Sequence, residues 1–300
     1  MEQARKPHIL LLGFGYVAGH LAARLRERGW RITATGRDAE TLTHIETTGG
    51  RAFLFDAGNP LPKKAWDGIS HVLSSIPPDD AGDPALRWLS DDLAARARQL
   101  QWVGYLSTVG VYGDHAGAWV DEETPCRPVS GRGQRRRAAE QAWLALHAAH
   151  GLPVHIFRLP GIYGPGRNPL IKARQGVRKA LVVKEGQVFS RIHVEDLASA
   201  LIASMNRPYP GRIYNVVDDE PAPPHEVALF AHELLGLEPP PLKPFEEVEM
   251  SEMARSFYGE SKRVSNARLK RELGWQPQFP TYREGLRALL AADPALRQRG

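Results

Sequence analysis

Residues 11–25 read LLGFGYVAGHLAARL. An aliphatic run ends at Leu12, Gly13, Gly15 and Ala18 follow at GxGxxA spacing, and the apolar residues after them recur as on one face of a helix. Glycines between a buried strand and a helix permit a tight turn. They also let backbone N–H groups approach a pyrophosphate, whose charge the helix N-terminus favours. The expectation is a strand–turn–helix unit that binds a dinucleotide through Gly13, Gly15, Tyr16, Val17 and Ala18.

Working outward, short aliphatic or β-branched runs at 8–12, 31–35, 52–55, 70–75 and 102–107 alternate with helical stretches. Asp83-Pro84 supplies an N-cap and a first-turn proline for a helix running to about Gln101. A sixth strand, 153–159, ends in LPGIYGPGR, which reads as a loop. RIHVEDLASALIASM reads as a loop capped into a helix by Asp196, and RIYNVV as another strand. The proline-rich stretches 221–224 and 239–244 set off a C-terminal part with helices near 225–236 and 282–290. This order predicts an α/β fold: a doubly wound Rossmann sheet, helices on both faces, and a smaller C-terminal substrate lobe. Residues 1–166, with 191–220 returning, form the nucleotide domain; 167–190 and 221–300 form the lobe.

Three hundred residues, 42% hydrophobic and 24% charged, suffice for a large buried core. The lone Cys126 allows no internal disulfide, which fits a reducing compartment, and the cytoplasm is the default expectation. Arg5 and Lys6 precede Ile9–Leu12, but Gly13 and Gly15 interrupt the run before a signal core could form. No apolar run approaches the roughly 20 residues of a membrane span. The net charge of +5 gathers at 132–137 and 172–179 without interleaved aromatics, so nucleic acid and membrane are not expected partners. An anionic small molecule is. The eleven histidines are scattered, and His147/His150 lack a carboxylate partner, so no metal site is expected.

At the ribose end, the second strand closes on Thr35-Gly36-Arg37. An acid there would bond a 2′-hydroxyl, whereas Arg37 can pair with a 2′-phosphate, so NADP is preferred to NAD. The alternative is that Arg37 is a solvated turn residue and Asp38 does the reading. Asp56, past the third strand, is either an adenine contact or a turn cap, and Ser75 closes the cofactor set at the fourth strand.

Five segments in order resemble the extended short-chain dehydrogenases/reductases of the epimerase/dehydratase type. LSTVGVYGD (106–114) is similar to SSxxVYG, FRLPGIYGPGR (157–167) to RxxNVYGPG, and RIHVEDLASAL (191–201) to FIHVDDxA. RIYNVV (212–217) matches the strand after it, and SKRVSNARLKRELGWQP (261–277) resembles SNxKLKxELGWxP. The short glycine loop and altered active site look most like the atypical, YeeZ-like branch. The resemblance implies that Thr108, with Ser107 beside it, bonds the substrate oxygen, and that homodimers are common.

It also implies a helix carrying YGxSKxxxE. Anchored on Glu140, PVSGRGQRRRAAE (128–140) puts Arg132 at the tyrosine and Arg136 at the lysine. Arginine stays charged and only donates, so Arg132 cannot be a base, while Arg136 can still hold ribose or phosphate oxygens. Residues 132, 136 and 140 share a helix face, which predicts that Glu140 pairs with Arg136. Arg135 and Arg137 read as solvated, and a solvated face for the whole segment is the plain alternative. Tyr163 is the candidate replacement base; Arg132, Arg167 and His193 are the candidate substrate contacts, although the resemblance gives Tyr163, Tyr112 and His193 structural roles more often. Two readings stand: an oxidoreductase on a small carbonyl or nucleotide-sugar, or a dinucleotide sensor or scaffold without turnover.

Overall fold

The computed structural model describes residues 6–176 and 179–297. Arg5, and residues 177 and 178 of the second basic run, lie outside the described residues. In chain order the strands are β1 (His8–Leu12), β2 (Arg31–Gly36), β3 (Arg51–Leu54), β4 (His71–Ser74), β5 (Trp102–Thr108), β6 (Trp119–Val120) and β7 (Val154–Leu159). Then come β8 (Gly161–Tyr163), β9 (Leu181–Val183), β10 (Arg191–His193), β11 (Ile213–Asn215), β12 (Leu242–Pro244) and β13 (Arg263–Val264). The helices are α1 (Tyr16–Glu27), α2 (Ala39–Thr47), α3 (Pro84–Ala95), α4 (Gly131–His150), α5 (Pro169–Arg174) and α6 (Val194–Asn206). They continue with α7 (Pro224–Leu235), α8 (Glu252–Phe257), α9 (Ala267–Leu273), α10 (Tyr282–Ala292) and α11 (Pro294–Arg297).

The first of two compact units takes residues up to 108, Gln134–Arg158 and Ala198–Tyr214. Its sheet runs β11-β7-β5-β4-β1-β2-β3, and the pairs β1–β2, β1–β4, β2–β3 and β4–β5 are parallel. Every residue of β1, β4 and β7 is buried, as in a sheet covered by helices on both faces. The strand order reverses between β1 and β4, which opens a crevice at their carboxyl ends. Leu10, Val72, Val103 and Tyr105 of the sheet pack with Leu89 and Leu93 of α3 and Trp143 of α4. The Asp83 cap forms as expected, accepting the Leu86 N–H at 3.1 Å. The helix stops at Ala95, short of Gln101, because tight turns to the Arg96 carbonyl bring Leu100 into the core.

The second unit takes Val109–Gly133, Leu159–Leu197 and Asn215–Gly300, of which 298–300 lie outside the described residues. It therefore includes 109–133 and 159–166, earlier than the boundary at 166 read from the sequence. The reason is pairing within that unit: β6 joins β13, β8 joins β10, and β9 joins β12, all in parallel. Three sequence readings change accordingly. LPGIYGPGR is not all loop, since it contains β8. RIH is a strand, and Asp196 lies inside the first turn of α6, where its carboxylate accepts the Gln278 and Phe279 amides at 2.6 and 2.9 Å. Pro223 and Pro224 start α7 rather than only separating it from what precedes. The core of this unit includes Tyr163, Leu170, Phe230, Tyr282 and Leu286.

Candidate functional site

The glycine turn lies in the first unit, at the crevice. Gly13 has φ +85°, and a Cβ there would sit 2.9 Å from Ser75 Oγ, so only glycine fits without strain. Ser75 Oγ in turn donates to the Leu12 and Gly13 carbonyls at 3.2 and 3.3 Å. The Gly13 N–H donates to Thr35 Oγ1 at 2.9 Å, a residue that sequence reasoning passed over although it precedes Gly36-Arg37. A Cβ on Gly15 would meet nothing within 4 Å, no side chain caps α1 there, and the first turn carries no acid. An uncapped helix start in open space suits a phosphate. Gly15 to Ala18 thus fit the pyrophosphate of a dinucleotide.

At the end of β2, Arg37 is exposed and makes no ion pair among the described residues. Both Asp38 oxygens are committed to α2, one accepting the Thr41 N–H at 2.8 Å and the other the Thr41 hydroxyl at 3.0 Å. These bonds hold the carboxyl below its usual range. Asp56 acts as a turn cap: Oδ1 accepts the Gly58 N–H and the Asn59 side-chain amide at 2.8 and 2.9 Å.

At the carboxyl end of β5, Ser107 is buried and donates to Glu140 Oε1 at 2.6 Å, so its hydroxyl faces α4 rather than a ligand. Thr108 beside it is partly exposed. Glu140 does not pair with Arg136. Its carboxylate accepts Arg158 Nε at 3.0 Å and Nη2 at 2.8 Å, and Arg137 Nη1 at 3.2 Å. Arg137 is thus an ion-pair partner of a buried carboxylate, whereas Arg135 stays in solvent as expected, 40% exposed and paired at 2.7 Å with the exposed Asp80. Arg136 instead donates through Nη1 to the Leu106 carbonyl at 2.6 Å and the Tyr105 hydroxyl at 3.1 Å. Its Nε and Nη2 have no partner among the described residues. The pairing rule failed because β7 supplies a guanidinium already held in place, whereas Arg136 finds acceptors at the strand end. The signal was present: Arg158 is the arginine of FRLPGIYGPGR.

The remaining candidates belong to the second unit. Arg132 is exposed, its guanidinium 5.0 Å above the Phe257 ring. Arg167 is exposed on a tight turn closed by Gly164. Tyr163 is 6% exposed, and burial, with the Asp218 carboxylate adding, holds its hydroxyl far above the usual phenol range. That direction works against the phenolate that a base near neutrality would need. His193 is buried between the Tyr163 and Phe279 rings, at 5.2 and 4.3 Å, and its Nδ1 accepts the Glu195 N–H. It packs among aromatic rings of the second unit. Among the described residues no three histidine, cysteine or acidic side chains group as metal ligands, and no helix is long and apolar enough to cross a membrane.

The comparisons agree with this architecture. The model of the NAD dependent epimerase/dehydratase family matches residues 91–217, the stretch that holds Thr108, Arg136, Glu140 and Arg158. Protein YeeZ of Escherichia coli K12 is 28% identical over 285 residues, covering 91% of this chain and 96% of that one. A conserved protein of unknown function from Silicibacter pomeroyi superposes with a TM-score of 0.88 at 49% identity, over 96% of this chain and 99% of the other. The dTDP-glucose 4,6-dehydratase of Bacillus anthracis, solved with NAD, shares the fold at a TM-score of 0.76 and 18% identity, over 95% and 96% of the two chains. Residues 91–217 thus carry the match to the NAD dependent epimerase/dehydratase family, and over nearly its whole length the chain is similar to protein YeeZ and to the Silicibacter pomeroyi protein.

Proposed function

We propose that this protein binds NADP(H) and transfers hydride to or from a small carbonyl or nucleotide-sugar substrate with an anionic group. The observation that carries the cofactor preference is the division of labour at the end of β2. Asp38 is consumed by the start of α2, and Arg37 is left as an exposed guanidinium with no ion pair among the described residues, suited to a 2′-phosphate. The bound dinucleotide supplies the hydride chemistry. Gly13, Gly15, Tyr16, Val17 and Ala18 hold its pyrophosphate, Ser75 supports the turn, the second Asp56 oxygen serves the adenine, and Arg136 uses its spare donors on ribose or phosphate oxygens. Thr108 polarises the substrate oxygen, and the proton comes from water, because Arg132 cannot release one and Tyr163 is buried. Arg132 and Arg167, both exposed cations, attract the anionic substrate. The protein acts in the cytoplasm.

Calorimetric titration tests the cofactor assignment. Arg37→Ala should weaken NADP(H) binding by about tenfold or more and leave NAD(H) unchanged. Equal losses for both, or none, would remove the phosphate-reader role.

A second reading, a dinucleotide sensor without turnover, is favoured by one observation: no tyrosine or lysine stands at 132 or 136. A panel of aldehydes, ketones and sugar nucleotides separates the two. Turnover abolished by Thr108→Val supports the enzyme; cofactor binding with no turnover supports the sensor.

A further inference from the structure

Four polar side chains meet inside the second unit without satisfying one another. Asp218, 1% exposed, has no side chain bonded to its carboxylate among the described residues, and of the backbone only the Glu220 and Arg191 amides bear on it. The hydroxyls of Tyr163 and Tyr282, 6% and 1% exposed, have no partner among them either. Arg191 completes the group. Its Nη1 donates to the Phe189 and Ala222 carbonyls at 2.8 and 3.1 Å, and its guanidinium lies 5.9 Å from the Tyr282 ring centre.

Backbone contacts gather them. β8 and β10 pair Tyr163 with His193 and Gly161 with Arg191, and the Asp218 N–H donates to the Arg191 carbonyl at 2.7 Å. Tyr163 presses against α10, where a Cβ on Gly285 would fall 2.1 Å from its hydroxyl oxygen, and Tyr282 begins the same helix. Asp218 and Arg191 are each other's largest charged influence, and Asp218 is the largest charged influence on Tyr163.

Leaving such groups unbonded is expensive. An uncompensated buried hydroxyl or carboxyl bears its full desolvation penalty, and a lone buried carboxylate a larger one. Burial accordingly drives the Asp218 carboxyl well above its usual range, toward the neutral form that can donate as well as accept. An internal water is stable where two to four polar partners surround it. We infer that Asp218, Tyr163, Tyr282 and Arg191 form a buried hydration site, with one or more waters bridging Asp218 and Arg191 to the two tyrosine hydroxyls. The site ties the strand pair β8–β10 to the start of α10, and it is independent of the cofactor reading.

A crystal structure of the full chain at a resolution that shows ordered solvent tests this. The expected result is a density peak within hydrogen-bonding distance of Asp218 and at least one tyrosine hydroxyl, weakened or shifted in Tyr163→Phe. A direct Asp218–tyrosine hydrogen bond without a peak, or an unhydrated gap, would overturn it. In solution, Tyr163→Phe and Tyr282→Phe should each lower Tm by about 2–4 °C. The double variant should lose less than the sum, because a shared water couples them. Full additivity would count against a common site.

Discussion

Arg158 grips Glu140 with two parallel hydrogen bonds, Nε to Oε1 and Nη2 to Oε2, while the two side chains keep 2% and none of their surface in water. Such a pair yields little net stability over an apolar one, but losing either member strands a charge. Glu140→Ala should therefore destabilise the fold by about 3–5 kcal/mol. Glu140→Leu combined with Arg158→Met should recover most of that loss in urea melts. A double variant as unstable as Glu140→Ala would mean that the pair does more than compensate its own burial.

The two glycines of the turn should respond differently. Gly13→Ala meets both a left-handed backbone and Ser75 Oγ, so Tm and cofactor affinity should fall together. Gly15→Ala has an ordinary backbone and open space, so the fold should hold while the new methyl group enters the phosphate cradle. Melting curves and NADP(H) titrations of the two variants give the comparison, and a Gly15→Ala protein with full affinity would displace the cradle.

Acid sensitivity follows from three buried histidines near the amino ends of the sheet strands. Burial first, helped at His8 by Arg31 and Arg51, lowers His8, His71 and His155 from 6.5 to about 4. His71 sits 4.6 Å from the Trp30 ring and His155 stacks on Trp102 at 5.8 Å. The folded chain binds fewer protons at these sites than the unfolded one. Their contribution is therefore complete above pH 6.5 and lost as pH falls through about 4, up to about 3 kcal/mol per residue. Removing one site should flatten the dependence: the Tm of His155→Phe should drop less than that of the parent between pH 6.5 and 4.5. Parallel curves would rule out His155 as a contributor.

Gly285→Ala should be severe, since its methyl group would overlap the Tyr163 hydroxyl at 2.1 Å. Adding Tyr163→Phe removes that atom but leaves ring carbons 2.8 Å away, so thermal melts should show partial rescue. No rescue would place the strain elsewhere in α10.

Much of the first unit could be read from the chain. Gly13, Asp83-Pro84 and the aliphatic runs act over a few residues, and periodicity and turn chemistry report on that range. What stayed hidden depends on partners far away in sequence. Glu140 chose Arg158, 18 residues on, over its helical neighbour Arg136. β8 and β10 are three residues each and exist only because they pair with one another. Tyr163 looked available as a base because nothing local reveals that Gly285 packs against its hydroxyl. Arg37 and Asp38 were separable only once the bond to Thr41 assigned the acid to the helix.

The Glu140 carboxylate receives Ser107 from β5 and Arg158 from β7, so one atom group on α4 reports the alignment of three elements. A slip of α4 by one residue would present Ala139 or Gln141 to Arg158 and strand a guanidinium in the interior. At several kcal/mol against a total stability of about 5–15, such a misalignment could not persist. The pair thus works as an indexing pin: it rejects mis-threaded versions of the sheet end on which Thr108 is displayed.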